Sequence, residues 1–281
     1  MGKKRNISVI TLLAIMLLGF NMSHADVNST DPRVGIELIQ NGSFEEGLAV
    51  LEEYSRINST DPEVWNSIGY ALNNLGRFRE AVIPLEHAVS LNPNKSVAWT
   101  NLGWAYNEQK EYEKALIALN RATETDPSNK YAWSTQGYTL IRSGAITDAI
   151  PVLQQALKID PNFSDAWNNL GWAYAEIKEY DKAIEALTAA TTLDPQNGYA
   201  WNNLGRILYL TGKTEQARDA LLNATRTKPD FDQGWYNLGN VLYALKSVHE
   251  SMQAYQKAVE LNPENQIARE NLQILENEVS H

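Results

Sequence analysis

Six tryptophans, Trp65, Trp99, Trp133, Trp167, Trp201 and Trp235, stand 34 residues apart without slippage. A fixed period between 20 and 50 residues means one small unit copied along the chain. Each unit is too small to bury its own apolar face. The units must therefore stack into a solenoid with one continuous core. The two remaining tryptophans, Trp104 and Trp172, are 68 residues apart, which is two periods.

Other residues keep the same register. With the residue three before each tryptophan as position 1, position 8 is glycine every time: Gly69, Gly103, Gly137, Gly171, Gly205 and Gly239. Position 20 is Ala81, Ala115, Ala149, Ala183 and Ala217, with Ser251 breaking the row. Position 27 is alanine throughout, from Ala88 to Ala258, and position 32 is proline, from Pro93 to Pro263. Positions 4, 7, 8 and 11 fall on one face of an α-helix. Glycine in a helix costs roughly 1 kcal/mol relative to alanine, so its recurrence predicts close approach of a second helix, with the alanines at 20 and 27 facing it. A turn is expected near Asn74-Leu75-Gly76-Arg77 and Ser143-Gly144, and the proline ends the second helix. Pro84 and Pro151 fall early in their second helices, where a missing amide costs little.

Tryptophan, Leu-Gly, tyrosine or leucine, alanine and proline in this order and spacing resemble the tetratricopeptide repeat (TPR). The resemblance implies an all-α, right-handed superhelical solenoid of antiparallel helix pairs. Six repeats are expected at 62–95, 96–129, 130–163, 164–197, 198–231 and 232–263. A degenerate first repeat without its tryptophan is expected within 26–61, on Val34, Gly35, Leu38, Phe44, Gly47 and Leu51. Residues 264–281 read as a capping helix with Ile267, Leu272 and Leu275 on one side. A longer period is also visible, since residues 99–116 and 167–184 agree at 13 of 18 positions.

Residues 1–25 read as a cleaved secretory signal peptide. Met1–Arg5 is basic, residues 7–20 are apolar but short for a bilayer span, and Ser23-His24-Ala25 places small residues at −3 and −1. An uncleaved anchor is the alternative. Loss of Lys3, Lys4 and Arg5 on cleavage takes the net charge from −10 to −13. Such an acidic chain argues against nucleic acid and anionic membrane surfaces as partners. An exported location is expected, whether secreted, periplasmic or cell-surface.

Chemistry-bearing motifs are missing. There is no cysteine, and the four histidines lie far apart. No metal-binding, nucleophile-elbow or phosphate-loop pattern occurs, so neither enzyme activity, metal nor cofactor is expected. Carboxylate neighbours such as Glu45-Glu46 do not face each other on a helix.

The opposite side of each first helix carries a different stripe. The TPR resemblance implies that it lines a concave groove holding a peptide or partner protein. Position 5 contributes Asn66, Asn168 and Asn202, and position 6 contributes Asn101, Asn169, Asn203 and Asn237. These amides can donate and accept, which suits a peptide backbone, and few of their hydrogen bonds are expected to be used internally. Position 9 reads Tyr70, Trp104, Tyr138, Trp172, Arg206 and Asn240, with Tyr131, Tyr199, Tyr209 and Tyr243 on the same stripe. The rings either pack on the next helix or form stacking platforms for side chains or sugars. Thus the expected role is a non-enzymatic protein-binding scaffold, with carbohydrate binding or exopolysaccharide assembly as the alternative. A carboxylate clamp of the kind some TPR domains use is disfavoured, because position 5 holds no lysine.

Overall fold

A computed structural model describes residues 31–58 and 60–279; the expected signal peptide lies outside them. Among the described residues the chain is all helix, with no strand. The described residues form fifteen helices, seven pairs and one unpaired end helix. The pairs are α1 (Pro32–Gln40) with α2 (Phe44–Ile57), α3 (Pro62–Asn74) with α4 (Phe78–Leu91), and α5 (Ser96–Glu108) with α6 (Tyr112–Thr125). Next come α7 (Lys130–Arg142) with α8 (Ile146–Ile159), and α9 (Ser164–Glu176) with α10 (Tyr180–Leu193). The last pairs are α11 (Gly198–Leu210) with α12 (Thr214–Thr227), and α13 (Asp232–Ala244) with α14 (Val248–Leu261), before the lone α15 (Gln266–Val279). Each helix packs on the next, and each first helix also touches the first helix of the following pair. This makes an all-α solenoid of antiparallel helix pairs.

Local chemistry sets the boundaries. Asp31 and Asp61 cap α1 and α3 through backbone amides, each followed by a proline at the first helical position. That proline gives up an amide with no helical partner anyway. Asn129 and Asn197 cap α7 and α11 in the same way. Each hairpin turn passes through one residue in the left-handed region: Gly42, Gly76, Gly144 and Gly212, or Lys110, Lys178 and Lys246.

The tryptophans tie each unit to the one before it. Trp99, Trp133, Trp167, Trp201 and Trp235 donate their indole N–H to the carbonyl of Pro93, Pro127, Pro161, Pro195 and Pro229, at 2.8–3.0 Å. In α15 Arg269 occupies the tryptophan position and donates to Pro263. From the α4–α5 junction to the α14–α15 junction, the 34-residue period is thus held by a hydrogen bond as well as by packing.

Three expectations need correction. The glycine at position 8 does admit the second helix, but the side chain seated on it is leucine at position 24, not alanine. A Cβ on Gly171 would stand 2.5 Å from Leu187 Cγ, while Ala183 offers only its carbonyl oxygen, at 3.3 Å. Leu51, Leu85, Leu119, Leu153, Leu187 and Leu221 form this fully buried row, and Tyr255 replaces leucine in the last pair. Pro84 and Pro151 sit inside α4 and α8, beyond the first turn, so each removes one helical hydrogen bond. In α15 Leu275 is buried but Ile267 is exposed, because that helix presents Ala268 and Leu275 to α14.

Candidate functional site

The first helices of successive pairs line the inner side of the solenoid. Residues from α1, α3, α5 and α7 enclose an open hollow of about 760 Å³. Ile36, Tyr70, Val97, Trp104 and Tyr131 supply its apolar surface, and Asn66, Asn73, Asn101 and Asn129 its amides. Of the expected site residues, Asn66, Tyr70, Asn101 and Trp104 therefore converge.

The asparagines are not idle. Asn101 donates to Asn66 at 2.9 Å, Asn203 to Asn168 at 3.0 Å, and Asn237 to Asn202 at 2.8 Å. Asn169 reaches Ser134 Oγ at 3.4 Å. Each bond joins position 6 of one repeat to position 5 of the repeat before. This overturns the expectation that few of these hydrogen bonds are used internally. Asn66, Asn202 and Asn237 are buried in the process, whereas Asn101, Asn168, Asn169 and Asn203 are half-buried. Asn240 accepts from the Tyr255 hydroxyl at 2.7 Å. Burial and neighbouring Tyr236 push that phenol up to about 12, against the opposing hydrogen bonds from Asn271 and Ser251.

Position 9 forms a ladder of rings. Trp104 stacks on Tyr138 at 5.7 Å and 27°, and Tyr138 meets Trp172 at 5.9 Å and 56°. Tyr70, at the near end, is exposed and meets Phe44 edge-on at 6.2 Å. The rings are half-buried against each other, so packing between repeats accounts for part of their surface.

Most charges on this face are paired. Arg142 bonds to Glu108 at 3.1 Å and to the Tyr138 hydroxyl at 3.1 Å, and lies over the Tyr112 and Tyr138 rings. Arg206 pairs with Glu176 at 3.9 Å, Glu176 also accepting from the Trp172 indole at 3.0 Å. Glu63 pairs with Lys95. The arrangement can hold an extended chain by hydrogen bonds and apolar contact; its ionic groups are largely satisfied from within. Among the described residues no group of three or more His, Asp or Glu side chains could hold a metal ion.

Asn129 was not singled out from the sequence. It caps α7 through the Tyr131 and Ala132 amides while its Nδ2 donates to Ser96 and Thr100 on α5. The signal was present, since Asn197 and Asn265 recur at the same position 68 residues apart.

Four tetratricopeptide-repeat profiles match the sequence, one at 62–95, one at both 96–129 and 233–265, one at 134–198 and one at 178–242. The chain belongs to the tetratricopeptide repeat family. No curated protein sequence matches it significantly. Many solved structures do. The APC/C hetero-tetramer Cut9–Hcn1 has a chain 18% identical, with a TM-score of 0.68 over 94% of this chain and 52% of that one, so this TPR chain spans about half of it. A tetratricopeptide repeat protein from Parabacteroides merdae is 16% identical, with a TM-score of 0.66 over 86% of this chain and 96% of that one. PilF of Pseudomonas aeruginosa is 16% identical, with a TM-score of 0.65 over 77% and 97%. At these identities the likeness is one of fold.

Proposed function

We propose that this TPR protein is an exported, non-enzymatic scaffold that holds a peptide segment of a partner protein along the inner side of its solenoid. The observation that carries the reading is the continuous strip of amides and rings running from Tyr70 to Asn240 along successive first helices, opening into the hollow of about 760 Å³. A peptide backbone offers donors and acceptors, and the half-buried amides keep hydrogen-bonding capacity beyond their single internal bond with which to meet them. The rings favour peptide over sugar, because the Trp104 and Tyr138 faces are already turned on each other. Export rests on residues 1–25 alone.

Site-specific photo-cross-linking tests the surface. A benzophenone side chain at Thr135, which lines the hollow, is expected to capture a protein partner from the native compartment. The same group at Ile83, exposed on a second helix, is expected to capture none. Capture from Ile83 and not from Thr135 would move the partner to the outer face. Export is tested by intact mass, which should begin at Asp26; a mature form starting at Met1 would mean an anchor.

A further inference from the structure

The row of first helices presents two sets of residues, or compartments, that correspond at a spacing of 68. The first comprises Val97, Asn101 and Trp104 on α5 with Asn129 and Tyr131 at the start of α7. The second comprises Asp165, Asn169 and Trp172 on α9 with Asn197 and Tyr199 at the start of α11. Their surroundings repeat as well. Tyr131 lies edge-on to Phe163 at 5.2 Å with Lys130 5.1 Å above its ring. Tyr199 lies edge-on to Phe231 at 4.9 Å with Lys228 4.9 Å above it. Both tyrosines remain more than half exposed, so each compartment keeps an accessible ring.

One residue differs in kind: Val97 becomes Asp165. Among the described residues Asp165 forms no ion pair, and neither does Asp194 beside it. Burial pushes the Asp165 carboxyl up and the Asp194 charge pushes it further, although the residue keeps a solvent-exposed edge. Elsewhere on this face Glu63, Glu108 and Glu176 already have Lys95, Arg142 and Arg206.

We propose, resting on the peptide-binding reading above, that the groove takes an extended segment with two apolar or aromatic anchors five or six residues apart, one per compartment, and a lysine or arginine beside the second anchor. The spacing follows from the packing. Contacting helices lie 8–10 Å apart, so two steps along the row of first helices cover roughly 16–20 Å. An extended chain spans that with about five or six residues at roughly 3.3 Å each. The basic residue follows from charge: an acidic pair with no cation of its own gains most from one supplied by the ligand, and discriminates against an acidic ligand. The asymmetry between Val97 and Asp165 also fixes the direction in which the segment lies.

Selection of random dodecapeptides displayed on phage against the full chain tests this. Enriched peptides are expected to carry two large apolar residues five or six apart and a basic residue next to one of them. In a synthetic copy of the best peptide, changing that basic residue to glutamate should weaken binding at least tenfold. Asp165→Val should abolish the tenfold difference while the peptide still binds; this exposed substitution leaves the ring ladder untouched. Trp104→Ala should remove selection for the anchor remote from the basic residue. Peptides with a single anchor, with no fixed spacing, or with the same basic preference on Asp165→Val would overturn the proposal, and so would a selection that enriches nothing. The cross-link from Thr135 reads the groove itself, so the groove reading can stand when the two-anchor register falls.

Discussion

Asparagine at position 6 serves the fold before any ligand arrives. Asn237 and Asn202 are both buried, so Asn237→Ala leaves an amide oxygen without a donor inside the protein, at a cost of about 1–3 kcal/mol. Asn203 and Asn168 are half-buried, and water can replace the lost partner. Asn203→Ala should therefore cost about 1 kcal/mol or less, offset in part by the better helix propensity of alanine. Urea denaturation should rank Asn237→Ala well below Asn203→Ala; equal midpoints would mean the amide pairs contribute nothing distinct. Asp165 gives a pH signature. Its folded-state pKa is raised by burial and by Asp194, so the folded chain binds that proton more readily than the unfolded chain does. Stability from this group declines as pH rises from the unfolded value of about 4 through the folded one. Asp165→Asn should raise the denaturation midpoint at pH 7 and give no gain at pH 3. A gain of the same size at both would show that the carboxyl is not the cause.

At the scale of helix and turn, the hairpins alternate. From the second turn on, glycine at Gly76, Gly144 and Gly212 alternates with lysine in the left-handed region, while the first turn, at Gly42, also uses glycine; Lys110, Lys178 and Lys246 have φ of 64°, 63° and 62°. A residue with a Cβ is disfavoured there by roughly 1–2 kcal/mol, and glycine gives back part of that through its freer unfolded chain. Each Lys→Gly change should therefore stabilise by on the order of 0.5–1 kcal/mol. A triple variant should melt measurably higher, with unchanged helical circular dichroism; a lower melting point would mean the lysine side chains hold the turns in some other way. The hairpins themselves were legible in the sequence because Trp, Gly, Ala and Pro recur wherever every unit needs the same contact. The leucine at position 24 was visible as a row, but its place over Gly171 depends on the register between two helices, which spacing within one helix does not set. The asparagine ladder was hidden for a similar reason. Its donor and acceptor are 35 residues apart, one more than the repeat, and that offset comes from the stacking of one repeat on the next. Periodicity placed Pro84 near the start of its helix, whereas α4 begins at Phe78, so the proline lies well inside.

Over the whole molecule, the main contacts among the described residues run between helices that are neighbours along the solenoid. Stability is then a sum over units and their junctions, and a weak junction can open while the rest stays folded. The apolar core has such a junction. One group of packed apolar residues runs from Ile39 to Ala118 and the next begins at Ile141, with the buried Leu119, Ala122 and Ala132 between them. Around α6 and α7 the buried positions include Thr123, Ser134, Gln136 and Thr139. Gln136 stands where the neighbouring repeats have Leu102 and Leu170. Its Nε2 donates to Asn120, but its buried Oε1 has no partner among the described residues. An unsatisfied buried acceptor costs about 1–3 kcal/mol, and leucine would also restore apolar contact between the two groups. Gln136→Leu should therefore stabilise by about 1–2 kcal/mol, with α7 gaining most. Native-state hydrogen exchange is the measurement that separates this from a general effect. In the wild type, amides of α7 and α8 should exchange through openings of lower free energy than those of α3–α4 or α11–α12. In Gln136→Leu that difference should narrow, and the chain should unfold more nearly as one unit. Uniform protection along the wild-type solenoid, or a leucine variant stabilised equally everywhere, would show that the polar seam does not divide the molecule.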